Sequence, residues 1–389
     1  AAMATGSTVT AAPAHADFED LLDPIIQPFL TSLTDSIAVF DPAAALDLTS
    51  WTDSLLASLN TSFDFALPST DSALAAAATA AEPASSVAAA GTTIPLTVLE
   101  GTEPAVYATI DGGSSSVPLL VDTGSSGLVI PYTDLGTNYF SQLESLFSLG
   151  TPTGLSESGY SGGVDYLYLT YNNVQVDYLG AGGSTALSTD GPVDVEIYSW
   201  DPSNIFSYFT NDAFQNFLGS NEVSGILGIG ENTAGPTSTP FESYGGVLVD
   251  IHDKNLVVGG ANPFPLGPST SGDPVSNVLE SVNNGTAVPV SDNIDSGGVF
   301  GTIPSSLAPT GSVPDGTLIS VFNLNHDLLY SYTTTNSFNI SDTSTPDLVS
   351  DSPTVVSGTG IDSGVLPFLN HAVYLDYAGD KTYFGPLTT

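Results

Sequence analysis

Asp122-Thr123-Gly124-Ser125-Ser126 stands between two apolar runs, Pro118-Leu119-Leu120-Val121 before it and Leu128-Val129-Ile130-Pro131 after it. A variant returns 173 residues later as Asp295-Ser296-Gly297-Gly298, leading into Val299-Phe300-Gly301-Thr302-Ile303-Pro304. In both copies a Gly follows the Asp by two residues, an Ile by eight and a Pro by nine. The pattern predicts a carboxylate on a Gly-bearing turn between two buried strands, built twice. That is the arrangement a two-carboxylate site requires.

The surrounding composition narrows the field. At 389 residues, with 41% apolar residues, the chain is long enough for two domains or one large bilobal unit with a sizeable core. The 39 Gly and 27 Pro, scattered among Ser and Thr, point to many short strands and turns. Forty-two acidic residues face two lysines, Lys254 and Lys381, and no arginine, for a net charge of -40. Such a surface is repelled by phosphate backbones, so nucleic acid is not expected as a partner. The charge fits an acid-tolerant or simply a soluble secreted protein. With no Cys, thiol catalysis, disulfides and Cys-based metal sites are excluded. His15, His252, His326 and His371 lack the spacing of a zinc site, and neither metal nor cofactor is expected. No apolar run approaches the roughly 20 residues that span a bilayer.

Along the chain, residues 1–16 end in Ala14-His15-Ala16 and read as the tail of a secretory signal peptide. Residues 17–67 carry Leu21, Leu22, Ile25, Ile26, Phe29, Leu30 and Leu33 at helical spacing, and predict a small helical segment. Residues 68–93 are an Ala/Ser/Thr-rich linker. From there the pattern is β. Short strands are expected near 94–98, 105–110 and 117–121, with a hairpin turn at Asp111-Gly112-Gly113. A second hairpin is expected over Val164–Val176, turning at Asn172-Asn173. A helix is expected over 203–218, and further strands at 245–249 and 256–260. The lobes are placed at 94–245 and 246–389.

The repeat extends beyond the two Asp motifs. Ser224-Gly225-Ile226-Leu227-Gly228 is echoed by Ser363-Gly364-Val365-Leu366-Pro367, each expected as a later strand of its own lobe. Aligned on Ser-Gly, this sets Asp362 opposite Val223. The third match, Asp362-Ser363-Gly364, is therefore set aside as a decoy. Two carboxyls a few ångströms apart cannot both ionise cheaply and would share one proton. The ionised member can draw a proton from water while the protonated member hydrogen-bonds a carbonyl. Thr123 and Ser296 suit hydrogen bonds across the lobes. Gly124 and Gly297 permit the turns and offer backbone N–H groups, and Ser125 can donate to its Asp.

With those residues in place, the chain resembles a pepsin-type aspartic protease over about residues 94–389. The resemblance implies a mainly β, bilobal fold with a cleft between its lobes, each Asp loop threaded by the later aliphatic strand of its lobe. It also implies a hairpin flap, for which Tyr160, Ser161 and Gly162 are the best match by position. The Ala/Gly-rich style, missing Cys and acidic cast are most similar to the mycobacterial aspartic proteases related to PE-PGRS proteins. That resemblance implies a monomeric, secreted or cell-surface endopeptidase, associated with the envelope and acting on polypeptides, with Asp122 and Asp295 as its catalytic pair. Three departures stand out: no disulfides, no Lys or Arg in residues 1–90 to cover the pair, and no Trp soon after the first Asp motif. A PE-type helical pair is not recognisable either.

Three rivals remain. Asp295-Ser296-Gly297-Gly298 also resembles the nucleophile motif of chymotrypsin-like serine proteases, with His252 the only His between the two Asp motifs. A non-catalytic binding or structural protein on the same fold is the second. A glycosidase, which also uses two carboxylates, is the third.

Overall fold

The computed structural model describes residues 91–113, 115–160, 163–201, 203, 213–219, 222–309, 311, 313–334 and 353–387. The expectations for residues 1–90, and for Ser161 and Gly162, lie outside these residues.

The fold is mainly β and bilobal, built on three large sheets. The first strand, β1 (Thr92–Pro95), belongs to the six-stranded sheet that completes the structure and takes in Thr92 and Thr93. The first lobe is an eight-stranded sheet. From edge to edge it runs β2 (Thr97–Leu99), β3 (Glu103–Ile110), β4 (Val117–Asp122), β9 (Gly225–Ile229), β5 (Ser126–Pro131), β8 (Thr185–Trp200), β7 (Val164–Leu179) and β6 (Gly154–Tyr160). The second lobe holds the five-stranded sheet β17 (Leu328–Thr333), β16 (Leu318–Phe322), β13 (Val275–Val282), β14 (Val288–Asn293) and β19 (Gly360–Asp362). Beside it lies the parallel pair β15 (Thr302–Pro304) and β18 (Thr354–Val356). The six-stranded sheet runs β1, β11 (Asn255–Val258), β10 (Val247–Asp250), β20 (His371–Asp376), β21 (Lys381–Leu387) and β12 (Ser269–Ser271). It ties the start of the first lobe to the strands of the second.

Sequence accounts for most of these strands. β4 and β5 are almost wholly buried runs of Val, Leu and Ile, as expected of strands covered on both faces. β9 lies between them, parallel to β4 and antiparallel to β5, so the chain that returns 102 residues after Asp122 threads the loop joining those two strands. Asp111-Gly112 makes the turn between β3 and β4, closed by the Gly113 N–H donating to the Ile110 carbonyl at 2.8 Å. Of the expected helix over 203–218, Ser203 lies in a turn and the described residues from 213 onward form α2 (Ala213–Gly219). It follows α1 (Tyr139–Ser148), whose Asn138 cap and Ser141 form a reciprocal capping box. Among the described residues no helix is long and apolar enough to cross a membrane.

Two expectations are corrected. Asn172-Asn173 is not a hairpin turn, since β7 runs unbroken through it for 16 residues along β8. The register slips there: Tyr171 faces Val193 while Val174 faces Gly191, so one extra residue is accommodated as a bulge with Asn173 at φ 59°. The left-handed tolerance of Asn, which suggested a turn, serves the bulge instead. Likewise Ser363–Pro367 is not a strand. β19 ends at Asp362, Gly364 turns the chain at φ 61°, and α3 (Leu366–Asn370) begins with Pro367 in its first turn.

Candidate active site

β4 delivers Asp122 and β14 leads through Ile294 to Asp295. Between the two loops runs a reciprocal set of buried hydrogen bonds. The Thr123 N–H donates to Ser296 Oγ at 3.1 Å, and the Ser296 N–H donates to Thr123 Oγ1 at 2.8 Å. Each hydroxyl then donates onward across the lobes, Thr123 Oγ1 to the Ile294 carbonyl and Ser296 Oγ to the Val121 carbonyl, both at 2.6 Å. Both side chains are fully buried. The hydroxyl partners suit this because each accepts one bond and donates another, which leaves no buried donor unmet.

Each loop closes on its own carboxylate through the Gly two residues on. The Gly124 N–H donates to Asp122 Oδ1 at 2.7 Å and the Gly297 N–H to Asp295 Oδ1 at 2.8 Å. Each of these glycines also lies against the opposite acid. A Cβ on Gly124 would fall 2.3 Å from Asp295 Cγ, and one on Gly297 would fall 2.7 Å from Asp122 Cγ. The two carboxyls lie within hydrogen-bonding reach of each other. Burial pushes both above the usual carboxylate range. The like charge of Asp295 adds to this for Asp122, and that of Asp362 for Asp295, while the Gly124 and Gly297 amides and the Ser125 hydroxyl pull the other way. Such a pair retains a proton where isolated aspartates have lost theirs. One member can act as base while the other donates a hydrogen bond.

The two halves are not symmetric. Ser125 Oγ donates to Asp122 Oδ2, but the position three residues after Asp295 is Gly298, which has no hydroxyl. Asp362 Oδ1 lies there instead: a Cβ on Gly298 would be 3.1 Å from Asp295 Oδ2 and 3.3 Å from Asp362 Oδ1. Asp362 was set aside on an alignment that the strand register corrects. Asp362 pairs with Asn293, two residues before Asp295, as Ile226 pairs with Leu120, two before Asp122. Its counterpart is thus Ile226, not Val223. An acid stands where the first lobe has an aliphatic residue.

A second acid escaped the sequence reading. Glu103, at the start of β3, is 1% exposed with Oε1 unpartnered. Burial, and then the Asp122 charge, push it up to about 8. Nothing in Thr102-Glu103-Pro104 distinguishes it from a surface turn.

Tyr160 closes the β6–β7 hairpin opposite Val164. Its ring stacks on Tyr166 at 5.5 Å and Phe217 at 6.0 Å, and meets Phe214 at 6.3 Å. It therefore rests on an aromatic bed from β7 and α2, near enough to Asp122 for that charge to act on its hydroxyl.

Residues 92–383 match the model of the PE-PGRS C-terminal aspartyl peptidase-like domain. The chain is 37% identical over 306 residues to the protein named PE cleavage protein A of Mycobacterium tuberculosis, an alignment covering 74% of this chain and 50% of that one. It is 38% identical over 307 residues to the protein of the same name from Mycobacterium marinum, with the same coverage. The chain thus spans about half the length of the curated relatives it matches.

Proposed function

The chain belongs to the PE-PGRS C-terminal aspartyl peptidase-like family, and from that premise we propose that it is an aspartic endopeptidase whose Asp122 and Asp295 activate water against a peptide bond. The observation that carries the reading is the reciprocal Thr123–Ser296 bonding, which holds the two carboxyls in reach of each other while each Gly amide supports its own Asp. In the reaction, the ionised carboxyl takes a proton from water as the oxygen attacks the carbonyl carbon. The protonated carboxyl hydrogen-bonds the carbonyl oxygen and transfers its proton to the tetrahedral adduct. Collapse of that adduct expels the amine, which takes a proton from the pair. No covalent enzyme intermediate is required.

The serine-protease alternative is disfavoured by Ser296 itself, which is fully buried with its hydroxyl donating to the Val121 carbonyl. A nucleophile needs an exposed oxygen beside a base. The substrates we propose are secreted or envelope proteins, with PE-bearing chains first among them because the relatives carry the name PE cleavage protein A. The signal-like residues 1–16 support a secreted or cell-surface location.

The test is Asp295→Asn, assayed on a fluorogenic peptide and on a PE-bearing protein. Hydrolysis should disappear, with circular dichroism unchanged, and a statine-type peptide should inhibit the wild type where a serine-directed phosphonate does not. Undiminished hydrolysis by Asp295→Asn would remove the assignment.

A further inference from the structure

We propose that Asp362 is a positioning residue of the pair: it lies beside Asp295, where Gly298 leaves room for both acids, and its own ionisation sets the pH at which Asp122 and Asp295 come to share a single proton. This rests on the reading of Asp122 and Asp295 as a proton-sharing pair.

The placement is built by the fold. β19 runs parallel to β14 with Asp362 opposite Asn293, and the chain beyond it is fastened into the Asp295 loop. The Ser363 N–H donates to the Asn293 carbonyl at 2.9 Å and the Val365 N–H to the Gly298 carbonyl at 2.6 Å. Ser363 Oγ accepts from the Asp295 N–H at 2.9 Å. Asp362 is itself held at both ends, its N–H donating to Thr302 Oγ1 at 2.7 Å and its Oδ1 accepting from the Gly364 N–H at 2.8 Å. The missing side chain of Gly298 supplies the space, since any Cβ there would crowd both acids. On the other half of the site Asp122 Oδ2 has a hydroxyl donor in Ser125. Asp295 Oδ2 has an acid in that place.

The groups that act on Asp362 are Asp295 from the loop after β14, Asp292 from β14 itself and Asp122 from the loop after β4, all acids. From β15 comes only the neutral Thr302 hydroxyl. No cation lies among these groups. Burial pushes Asp362 up to about 6, with the Gly364 amide and the Asp295 carboxyl pulling back, while burial and then the Asp362 charge push Asp295 up to about 7, so the first of the three protons to leave leaves from Asp362. Asp295 and Asp122, both pushed up by burial and then by the charge of a neighbouring acid, keep theirs. The second proton must depart beside a charge already present. The singly protonated pair is therefore reached at higher pH than two isolated aspartates would allow.

The experiment is a carboxyl carbon-13 NMR titration of the full chain labelled at Asp, in the wild type, Asp362→Asn and Asp362→Ser, alongside the pH profile of kcat/KM on a fluorogenic peptide. In the wild type the Asp362 transition should be mirrored at the Asp295 carboxyl. In both variants the pair's transition and the acidic limb of the profile should move down by about 1 pH unit, the scale of a like charge at this range. Asn keeps an acceptor for the Gly364 N–H, and Ser guards against an amide that donates to Asp295 by itself. An Asp362 that titrates without any response at Asp295 overturns the proposal in the wild type alone, whatever the variants do. So does a transition that stays put or rises in the variants. If the carboxyls respond as expected but no peptide is cleaved, the protease reading fails and the role of Asp362 stands.

Discussion

Replacing Glu280 by Gln should make the fold less sensitive to rising pH, and the structure sets the size of the effect. Glu280 on β13 is 1% exposed, its Oε2 has no partner, and the fully buried Asp292 of the neighbouring strand β14, paired with Ser276, is near enough for its charge to act on it. Asp292 is served by the Tyr330 hydroxyl at 2.8 Å; its other oxygen is also unpartnered. With no cation to pair with, burial and then the Asp292 charge push Glu280 from 4.5 up to about 8. The unfolded chain therefore releases this proton near pH 4.5, while the folded chain holds it until about pH 8. The contribution is fully present below the lower value and is lost as pH climbs through the window. Inside it, between pH 5 and pH 7, one proton separates the two states, so stability falls by about 1.4 kcal/mol per pH unit from this group alone. Gln cannot titrate. Any constant cost of the amide cancels when the same variant is compared with itself at two pH values. Urea unfolding at pH 5, 6 and 7 should thus show the wild type losing about 3 kcal/mol more than Glu280→Gln across the range. That is a large share of the 5–15 kcal/mol typical of a whole protein. Parallel stability curves for the two proteins would refute the reasoning, because they would mean that Glu280 ionises at the same pH folded and unfolded.

Other outcomes follow from single contacts. Thr123→Val should lower stability by about 1–3 kcal/mol in a urea melt, since it strips the buried Ser296 N–H and Ile294 carbonyl of their partner. Gly124→Ala should abolish hydrolysis of a fluorogenic peptide, because its Cβ would intrude to 2.3 Å from Asp295 Cγ; an active variant would mean that the loops do not approach as described. Asn173→Ala should cost about 1 kcal/mol in a thermal melt, and Asn173→Gly should not, because only the bulge's left-handed backbone separates them. Glu103→Gln should flatten the pH dependence of stability as Glu280→Gln does, since its carboxyl too is pushed to about 8, chiefly by burial.

Local repetition was legible because it is written in adjacent residues. The spacing of Gly, Ile and Pro after each Asp announces two like loops, and the apolar runs on either side of Asp122 announce the strands that carry them. What lay between the repeats was harder, because register is set by long-range pairing. The segment that returns to each Asp loop is a true repeat, but the Ser-Gly echo at residues 224 and 363 reads it three residues out of step, since strand partners decide which residues correspond. A slip of three placed Asp362 away from the pair when it lies against it. Asn172-Asn173 misled for a related reason. Asn tolerates the same backbone in a bulge as in a turn, and only the unbroken β8 alongside tells them apart. Glu103 and Glu280 gave no signal at all, because nothing in a sequence separates a buried carboxyl from an exposed one until the sheets close over it.

The composition and the site then have one explanation. A chain with 42 acidic residues, two lysines and no arginine cannot neutralise its buried acids by ion pairing. It neutralises them with protons. Asp273 is pushed up to about 8 by burial and then by its contact with Glu231; Asp134 and Glu196 are each pushed to about 7, chiefly by burial. Each is a carboxyl that is cheap to bury only while it is uncharged. The same requirement operates at Asp122, Asp295 and Asp362, where the retained proton is available for chemistry. The interior carboxyls hold their protons up to about neutral pH, so the conditions that keep the fold closed are those that keep a proton on the pair.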